Sequence, residues 1–437
     1  MQEASPTDSP LPGPAGLTPS TRAARLREVA GVFTRLGFTA FGGPAVHVSL
    51  MEDEFVARRK WLDRRHFMDL VAAINFIPGP NSTELAIHLG LLRAGWPGLV
   101  LAGVCFIVPA VLVILPIAWA YVTWGTLPRV GSAMALIHCA VVSVIAVAAA
   151  RFVRSSVTDR FTLAVALASA AIATALVRFP QYQPEVTAIA LSAVAGVVWT
   201  ARRRRQALRD DTPPPPPPSS GGTAGALFDP TPVAAGSAVA TTSVALAATP
   251  LGAGLLQLAL VFLKIGATLF GSGYVLVSYL RSGVVAEHRW LTEQQLLDAI
   301  AVGQFTPGPL LTTATFVGYV AGHGPFGGGH LGGLAGAVLA TVAIFLPSFL
   351  LVAACAPVLQ RLRQHALARG ALDAMNAAVA ALLVVVCVQI GSAALNGAGW
   401  LGAAVMLASG GALFRGVNAT WVIVAAGALG AVQGALL

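Results

Sequence analysis

The chain has 437 residues, of which 56% are hydrophobic and only 10% are charged, and its mean hydropathy is +0.76. A typical soluble domain is about 45–50% apolar and about 25% charged, so this composition excludes a soluble enzyme, a disordered chain and a nucleic-acid-binding protein. The net charge of +9 comes mostly from arginines in predicted loops, so it reports on membrane topology and not on a polyanionic partner.

Long uncharged segments predict an all-α polytopic membrane protein. Most of them approach the roughly 20 residues that a helix needs to cross the hydrocarbon core. In chain order the segments are 98–124, 130–150 (with one histidine), 161–177, 186–201, 331–360, 370–395, 398–414 and 416–437. Residues 1–30 lack the apolar region of a cleavable signal peptide.

A change in composition separates two halves of the chain. Four consecutive arginines at 202–205 are followed by six prolines at 213–218 and a Ser/Gly/Thr-rich stretch. This pattern is typical of a flexible linker. The expected organisation is an N-terminal tail (1–30), a first membrane unit (31–201), the linker (202–250) and a second membrane unit (251–437).

The two halves share an internal repeat. Residues 32–83 align without gaps onto 261–312 at a constant offset of 229, and 20 of the 52 pairs are identical. Shared hydrophobicity does not explain matched tryptophan, aspartate and Pro-Gly-Pro positions. The arginine distribution favours inverted repeats, because it places the loop 58–65 and the linker in the cytoplasm and the matching loop 281–293 outside. The N-terminus is then outside despite its arginines, unless the first segment is re-entrant.

Each repeat has two predicted helix breaks inside apolar sequence. The first is Phe41-Gly42-Gly43-Pro44, matched by Phe270-Gly271-Ser272-Gly273, and the second is Pro78-Gly79-Pro80, matched by Pro307-Gly308-Pro309. Proline interrupts a helix, so we expect 66–77 and 81–93 to be two half-helices of a hairpin that meet near the membrane midplane. Irregular backbone at that depth must be buried in protein or line a wet cavity. Paired interruptions of this kind predict the binding site of a transporter.

Polar side chains follow each Pro-Gly-Pro triplet. Asn81, Ser82 and Thr83 begin the helix after the first triplet, and Thr312 and Thr313 follow the second. A helix N-terminus offers free N–H groups and about half a positive charge, so two facing ends could hold an oxyanion. Simple capping of their own helices uses the same geometry and is the alternative interpretation.

Arg35 and Lys264 occupy equivalent positions, six residues before the Phe-Gly break of each repeat. A charge within the membrane indicates a functional role, and two cations suit an anionic substrate. The alternative is that both side chains extend to the lipid headgroups.

Glu84 and His88 lie four residues apart on one apolar helix, so they share a face. A carboxyl and an imidazole in low dielectric can titrate near neutral pH, which predicts a proton relay, with a structural hydrogen bond as the alternative. The second repeat has Thr313 and Val317 at these positions, so the proton site is one-sided. His47, three residues after the first break, is a weaker candidate.

Several signals are absent from the sequence. There is no P-loop and no His-Glu-x-x-His motif, so we expect neither ATP-driven pumping nor zinc proteolysis, and no cofactor or metal. Asp69 and Asp298 match across the repeats, and helix capping or a salt bridge explains them as well as function does.

These residues resemble the chromate ion transporter family, in its long-chain, two-domain type. The resemblance rests on Phe-Gly-Gly-Pro at 41–44, Trp61-Leu62, Pro-Gly-Pro-Asn-Ser-Thr-Glu at 78–84, Gly90 and Arg93-Ala94-Gly95, and on a second copy from Phe270 to Pro309 with Phe345-Leu346-Pro347. It covers about 30–200 and 251–437. Ser272-Gly273 departs from the usual second Gly-Gly, which softens the second break.

The resemblance implies a non-enzymatic carrier that exports chromate across the bacterial cytoplasmic (inner) membrane and confers resistance. The implied driving force is the proton gradient or exchange for a counter-anion. Whether the carrier is a homodimer is left open by the sequence. Chromate and sulfate are both tetrahedral dianions, so the residues do not separate a chromate carrier from a carrier of sulfate or another oxyanion. A passive channel also stays open. An intramembrane enzyme acting on a lipid phosphate would have Glu84 and His88 as its sole acid–base pair.

Overall fold

The structure is a computed structural model and describes residues 19–125, 128–176, 183–209, 249–271, 273–356 and 365–436. Every regular element within these residues is helical. The predicted all-α class is therefore confirmed. The start of the N-terminal tail, most of the linker and Ser272 lie outside the described residues.

The helices follow one another in the same order in each half. The first half contains α1 (Pro19–Thr39), α2 (Pro44–Glu52) with a π-helical turn at Asp53–Arg58, α3 (Arg64–Ile74), α4 (Asn81–Trp124), α5 (Pro128–Ser156), α6 (Arg160–Leu176) and α7 (Pro184–Arg209). The second half contains α8 (Pro250–Thr268), α9 (Leu276–Leu280) with a π-helical turn at Arg281–Glu287, α10 (Glu293–Phe305), α11 (Thr313–His323), α12 (Gly329–Cys355), α13 (Ala366–Phe414) and α14 (Ala419–Leu436).

Helix α4 consists of two segments that form a hairpin. Ala94 and Gly95 leave the helical conformation, with φ of 69° at Gly95, so segment 81–93 reverses into segment 96–124. Gly90 and Gly98 pack so closely that a Cβ on either would clash with the carbonyl of the other, which is the small-residue packing typical of membrane helices. The predicted half-helix at 81–93 is confirmed, and α3 ends at Ile74 before the first triplet.

Backbone conformations and helix boundaries also recur at equivalent positions of the two halves. Lys60 and Arg289, which are 229 residues apart, both have left-handed φ values, of 51° and 54°. After the triplets the offset becomes 238, which takes the start of α5 at Pro128 to the start of α13 at Ala366. The same offset takes α6 (Arg160–Leu176) to the apolar helix at Ala398–Phe414. This helix begins at the break in α13, where Gly399 leaves the helical conformation. Both halves are thus built from one series of elements.

Six helices in the described part of the chain are long and apolar enough to cross a membrane. They are Asn81–Trp124, Gly131–Ser156, Pro184–Gln206, Pro250–Thr268, Gly329–Cys355 and Ala366–Asn396. The outer surfaces of these bundles expose large apolar side chains such as Leu331 and Leu407, as a lipid-facing surface requires. The halves also interlock, because α5 packs against α13 and α14, and α4 packs against α11 and α12.

Two helices extend beyond the expected unit boundaries. Helix α1 begins at Pro19, inside the segment expected to be a tail, and α7 continues to Arg209, through the arginines expected to open the linker. Arginine is a good helix former. The guanidinium of Arg203 also lies 5.1 Å from the ring centroid of Trp199, one turn earlier, which supports the extension.

Candidate functional site

The helix breaks of the two repeats are joined by backbone hydrogen bonds. The Gly79 N–H donates to the Leu269 carbonyl (2.7 Å), and the Gly308 N–H donates to the Ala40 carbonyl (2.9 Å). Ala40 and Leu269 are equivalent positions, each directly before the Phe-Gly of its repeat. Each Pro-Gly-Pro triplet is therefore tied to the first break of the other repeat, and the four breaks indicated by the sequence lie together.

The backbone at these breaks needs glycine. All four break glycines have φ values in the left-handed region, which side-chain-bearing residues rarely adopt; they are Gly42 (118°), Gly79 (139°), Gly271 (84°) and Gly308 (95°). A Cβ on Gly43 would lie 2.9 Å from the Tyr274 hydroxyl. A tyrosine of the second repeat therefore covers the first break.

A buried polar cluster surrounds the first triplet. The Thr83 hydroxyl, both carboxyl oxygens of Glu84, Nδ1 of His88 and the Ser348 hydroxyl have no hydrogen-bond partner among the described residues. A Cβ on Gly79 would clash with both Glu84 Oε1 and Ser348 Oγ, so these two groups face the same point. An unsatisfied buried polar group costs about 1–3 kcal/mol, and such groups are rare in native proteins. Their concentration here indicates a place for a polar ligand.

His47 connects the first break to the helix that follows the triplet. Its Nε2 lies 3.1 Å from the Ala40 carbonyl, and its Nδ1 lies 3.2 Å from the Ser82 hydroxyl. A carbonyl only accepts hydrogen bonds, so Nε2 carries the hydrogen, and Nδ1 of the neutral ring accepts from Ser82. The Ser82 hydroxyl is thus already committed as a donor. Phe106 packs its ring edge against the imidazole.

Within the described residues, the second triplet lacks an equivalent cluster of unpartnered groups. The Thr312 hydroxyl donates to the Pro309 carbonyl (2.6 Å), and the Thr313 hydroxyl donates to the Leu310 carbonyl (2.8 Å). Ala110 faces Gly308 in the place where a serine faces the first triplet. Both threonines therefore cap their own turn, and the cluster of unpartnered groups lies beside the first triplet.

Two amide side chains flank the triplets. Asn81 Nδ2 donates to Asn75 Oδ1 (2.6 Å), which closes the gap across the first triplet. The repeat equivalent of Asn75 is Gln304, which is buried beside the Tyr274 side chain.

Arg35 belongs to an ion-pair cluster at the end of α1. It is 51% exposed and pairs with Glu54 at 2.5 Å. Arg59 bridges Glu54 and Glu28, and Arg93 also pairs with Glu28. Burial acts to raise the pKa of Glu54, but the hydrogen bond from Arg59 and the charges of the two arginines outweigh it and lower the pKa. The charge of Arg35 is therefore compensated.

Lys264 is the repeat equivalent of Arg35, but the acidic residues of the Arg35 cluster are replaced around it. The positions equivalent to Glu54 and Glu28 are Gly283 and Gln257, and Gln257 lies 3.3 Å from His288. Lys264 has no ion-pair partner among the described residues. It lines a small solvent-open cleft, together with Glu185, Tyr279, Ser282, Gly283 and Glu287. No described hydrogen bond joins Lys264 or Arg35 to either triplet, so their binding role stays a prediction.

Replacing Gly79 with alanine should disrupt the first triplet. Alanine at this position would have to adopt a left-handed φ. Its methyl group would also overlap the Glu84 carboxyl and the Ser348 hydroxyl. Strain and overpacking together are worth about 2–5 kcal/mol, so we expect a lower melting temperature and at least tenfold slower transport. Gly31→Ala is the control, because nothing lies within 4 Å of its Cβ position. Wild-type melting and transport in Gly79→Ala would contradict the described geometry.

The sequence did not predict Ser348 as a site residue. It belongs to α12 of the second half, yet its hydroxyl faces the first triplet. The available signal was the Phe-Leu-Pro at 345–347, which recurs as Phe106 and Pro109 in the first half. The offset of 238 pairs Ser348 with Ala110 and shows where the two halves differ.

Comparison with known proteins gives consistent matches over both halves. A family model described as "Chromate transporter" matches residues 27–197 and 256–431. The chain is 31% identical to a chromate transport protein of Cupriavidus metallidurans, covering 82% of this chain and 80% of that one. It is 30% identical to a chromate transport protein of Pseudomonas aeruginosa (72% and 69% covered) and 29% identical to a probable chromate transport protein of Synechococcus elongatus (76% of each). No solved structure matches the chain.

Proposed function

The chain belongs to the chromate transporter family, and from this premise we propose that it exports chromate across the cytoplasmic membrane and so confers chromate resistance. The observation that supports this proposal is the cluster of unpartnered buried polar groups beside the first triplet. The cluster lies where breaks from both repeats meet, which is where a transporter of this architecture binds its substrate.

The cluster has the chemistry to hold a tetrahedral oxyanion. Thr83 and Ser348 each have a hydroxyl hydrogen to donate, and the segment 81–93 directs its positive N-terminal end toward the same point. Glu84 can donate a hydrogen bond only when it carries a proton, because an ionised carboxylate is only an acceptor. The ionised carboxylate would also repel the anion. Anion binding and proton binding at this site are therefore linked. The driving force is the proton gradient or exchange for a counter-anion.

Reconstituted transport tests the proposal. Purified protein in proteoliposomes should move chromate, and unlabelled chromate on the far side should accelerate the uptake of labelled chromate. Such counterflow separates a carrier from a passive channel. Sulfate competing as well as chromate would replace the proposed substrate by a broader oxyanion class, and absence of chromate movement would overturn the proposal.

The two repeats are expected to be inverted in the membrane. The reciprocal bonds of Gly79 and Gly308 support a two-fold relation, and the arginine distribution places Arg58 inside and Arg289 outside. In a background without the four native cysteines, Arg58→Cys and Arg289→Cys should react with an impermeant thiol reagent from opposite sides. Labelling from the same side would make the repeats parallel.

A further inference from the structure

A second buried polar cluster lies between the halves, apart from the first triplet. Asp298 of α10 is only 5% exposed. One of its carboxyl oxygens accepts a hydrogen bond from the Tyr121 hydroxyl at 2.6 Å, and the other lies 2.6 Å from Nε2 of His138. Tyr121 is in the last turn of α4, and His138 is in α5. The carboxylate therefore joins the half-helix that leads into the second triplet to two helices of the first half.

Among the described residues, Asp298 has no other side-chain hydrogen bond or ion pair. Helix α10 packs against α4, α5, α11, α13, α14 and the π-helical turn at 281–287. Helix α14 carries no charged or titratable side chain in its described residues. The remaining groups have partners elsewhere: Arg281 pairs with Glu293, His323 stacks on Tyr319, and Asp373 lies near Arg369 and Asp159. Tyr121 and His138 are thus the groups that face Asp298.

The other half of the molecule shows what is special about this cluster. Asp69 is the repeat equivalent of Asp298, and the offset of 238 pairs His138 with Asn376. Equivalent positions of the two halves therefore carry histidine and asparagine. Asparagine can donate a hydrogen bond to a carboxylate but cannot take up a proton.

We propose that Asp298 and His138 form a proton-binding site that couples proton movement to the motion of the second hairpin. With a neutral imidazole the pair carries one negative charge, and uptake of one proton at Nδ1 makes the pair neutral overall while His138 becomes a charged donor to Asp298. The proton belongs to the pair as a unit. The inference rests on the proposed function, because it assigns a second proton position to the same carrier.

Proton occupancy would control how firmly α10 is held. Protonation changes the contact from a neutral imidazole N–H donating to a carboxylate into an imidazolium–carboxylate ion pair. The protonated pair therefore ties the second hairpin to α4 and α5 more firmly, and loss of the proton loosens that interface. Glu84 responds to the substrate directly, and this pair responds to the movement of the second hairpin that accompanies chromate binding. The two sites thus give the carrier two points at which a proton gradient acts.

The test is His138→Asn, which installs the residue found in the other half. Chromate binding to the purified full-length protein is measured by calorimetry in two buffers of different ionisation enthalpy, which gives the protons exchanged per chromate bound. We expect about one proton fewer than in wild type and a flattened pH profile of exchange in proteoliposomes. Asp69→Asn, which changes the equivalent acid of the first repeat and leaves the pair intact, should keep the wild-type proton count. Asp298→Asn replaces His138→Asn if that variant does not fold.

The outcomes separate this inference from the proposed function. If wild type binds and transports chromate while His138→Asn keeps its proton count and pH profile, the proton site is overturned and the carrier function stands. If wild type neither binds nor transports chromate, the proposed function fails first. If Asp69→Asn changes the proton count as much as His138→Asn does, the effect is structural and the inference is overturned.

Discussion

Glu84→Gln is expected to abolish the response of chromate transport to a pH gradient while exchange at equal pH stays within about twofold of wild type. The Glu84 carboxyl is fully buried and has no hydrogen-bond partner among the described residues. Glutamine has the same shape and a permanent N–H donor, so it imitates the protonated acid. It can still donate to an oxyanion, but it cannot release a proton when the substrate leaves.

The measurement is chromate movement in proteoliposomes with no gradient and with gradients of either sign. Glu185→Gln is the control for the gradient response, because Glu185 is also buried but accepts a hydrogen bond from Ser278 at 3.0 Å, outside the triplet cluster. Since Glu185 lines the cleft beside Lys264, the response is expressed relative to exchange by the same variant at equal pH. Glu185→Gln should keep the wild-type response. Equal stimulation in wild type and Glu84→Gln would remove Glu84 from the coupling and leave His88, His47 or anion exchange.

Lys264→Ala is expected to lower kcat/KM for chromate by roughly tenfold to a hundredfold. A hydrogen bond or ion pair from a charged group is worth about 1.5–3 kcal/mol. A dianion bound beside Lys264, which has no ion-pair partner among the described residues, would lose that contribution in the variant. Arg35→Ala should reduce transport less, because Arg35 is already paired with Glu54. Normal expression of both variants is the control for folding.

A charge added to the cleft tests the same idea without deleting the lysine. Gly283→Glu places an acid where the first repeat has Glu54, and a Cβ there meets Val261 at an ordinary 3.6 Å. We expect it to reduce transport about as much as Lys264→Ala, and the double variant should lose little more. Wild-type transport in Lys264→Ala would mean that this lysine serves only the membrane surface.

The elements governed by local sequence were predictable, and those governed by contacts between the halves were not. Apolar segments and proline triplets predict the helices and the break between α3 and segment 81–93, because both depend on a few neighbouring residues. Ser348 was not predicted, because its position beside Gly79 depends on how α12 packs. His138 appeared only as a single histidine in an apolar span, since Asp298, its partner, lies in the other half.

The pairing of Arg35 with Glu54 also depends on more than spacing. The π-helical turn at 53–58 changes which side chains face α1. The residue pattern of that segment does not predict such a turn. The internal repeat supplied the more useful guide, because it shows where equivalent positions carry different residues. Glu54 and Gly283 differ in this way, and so do His138 and Asn376.

The exchanged hydrogen bonds of the two triplets have a consequence for biogenesis. When the first half leaves the ribosome, the Gly79 N–H has no partner and the Ala40 carbonyl has only His47, because Leu269 and Gly308 are not yet synthesised. An unpaired backbone group in hydrocarbon costs several kcal/mol, so the first half must wait in a wet or protected form until the second is inserted. The halves then mature as one cooperative unit. Separately expressed halves should accumulate only when they are made together in the same cell.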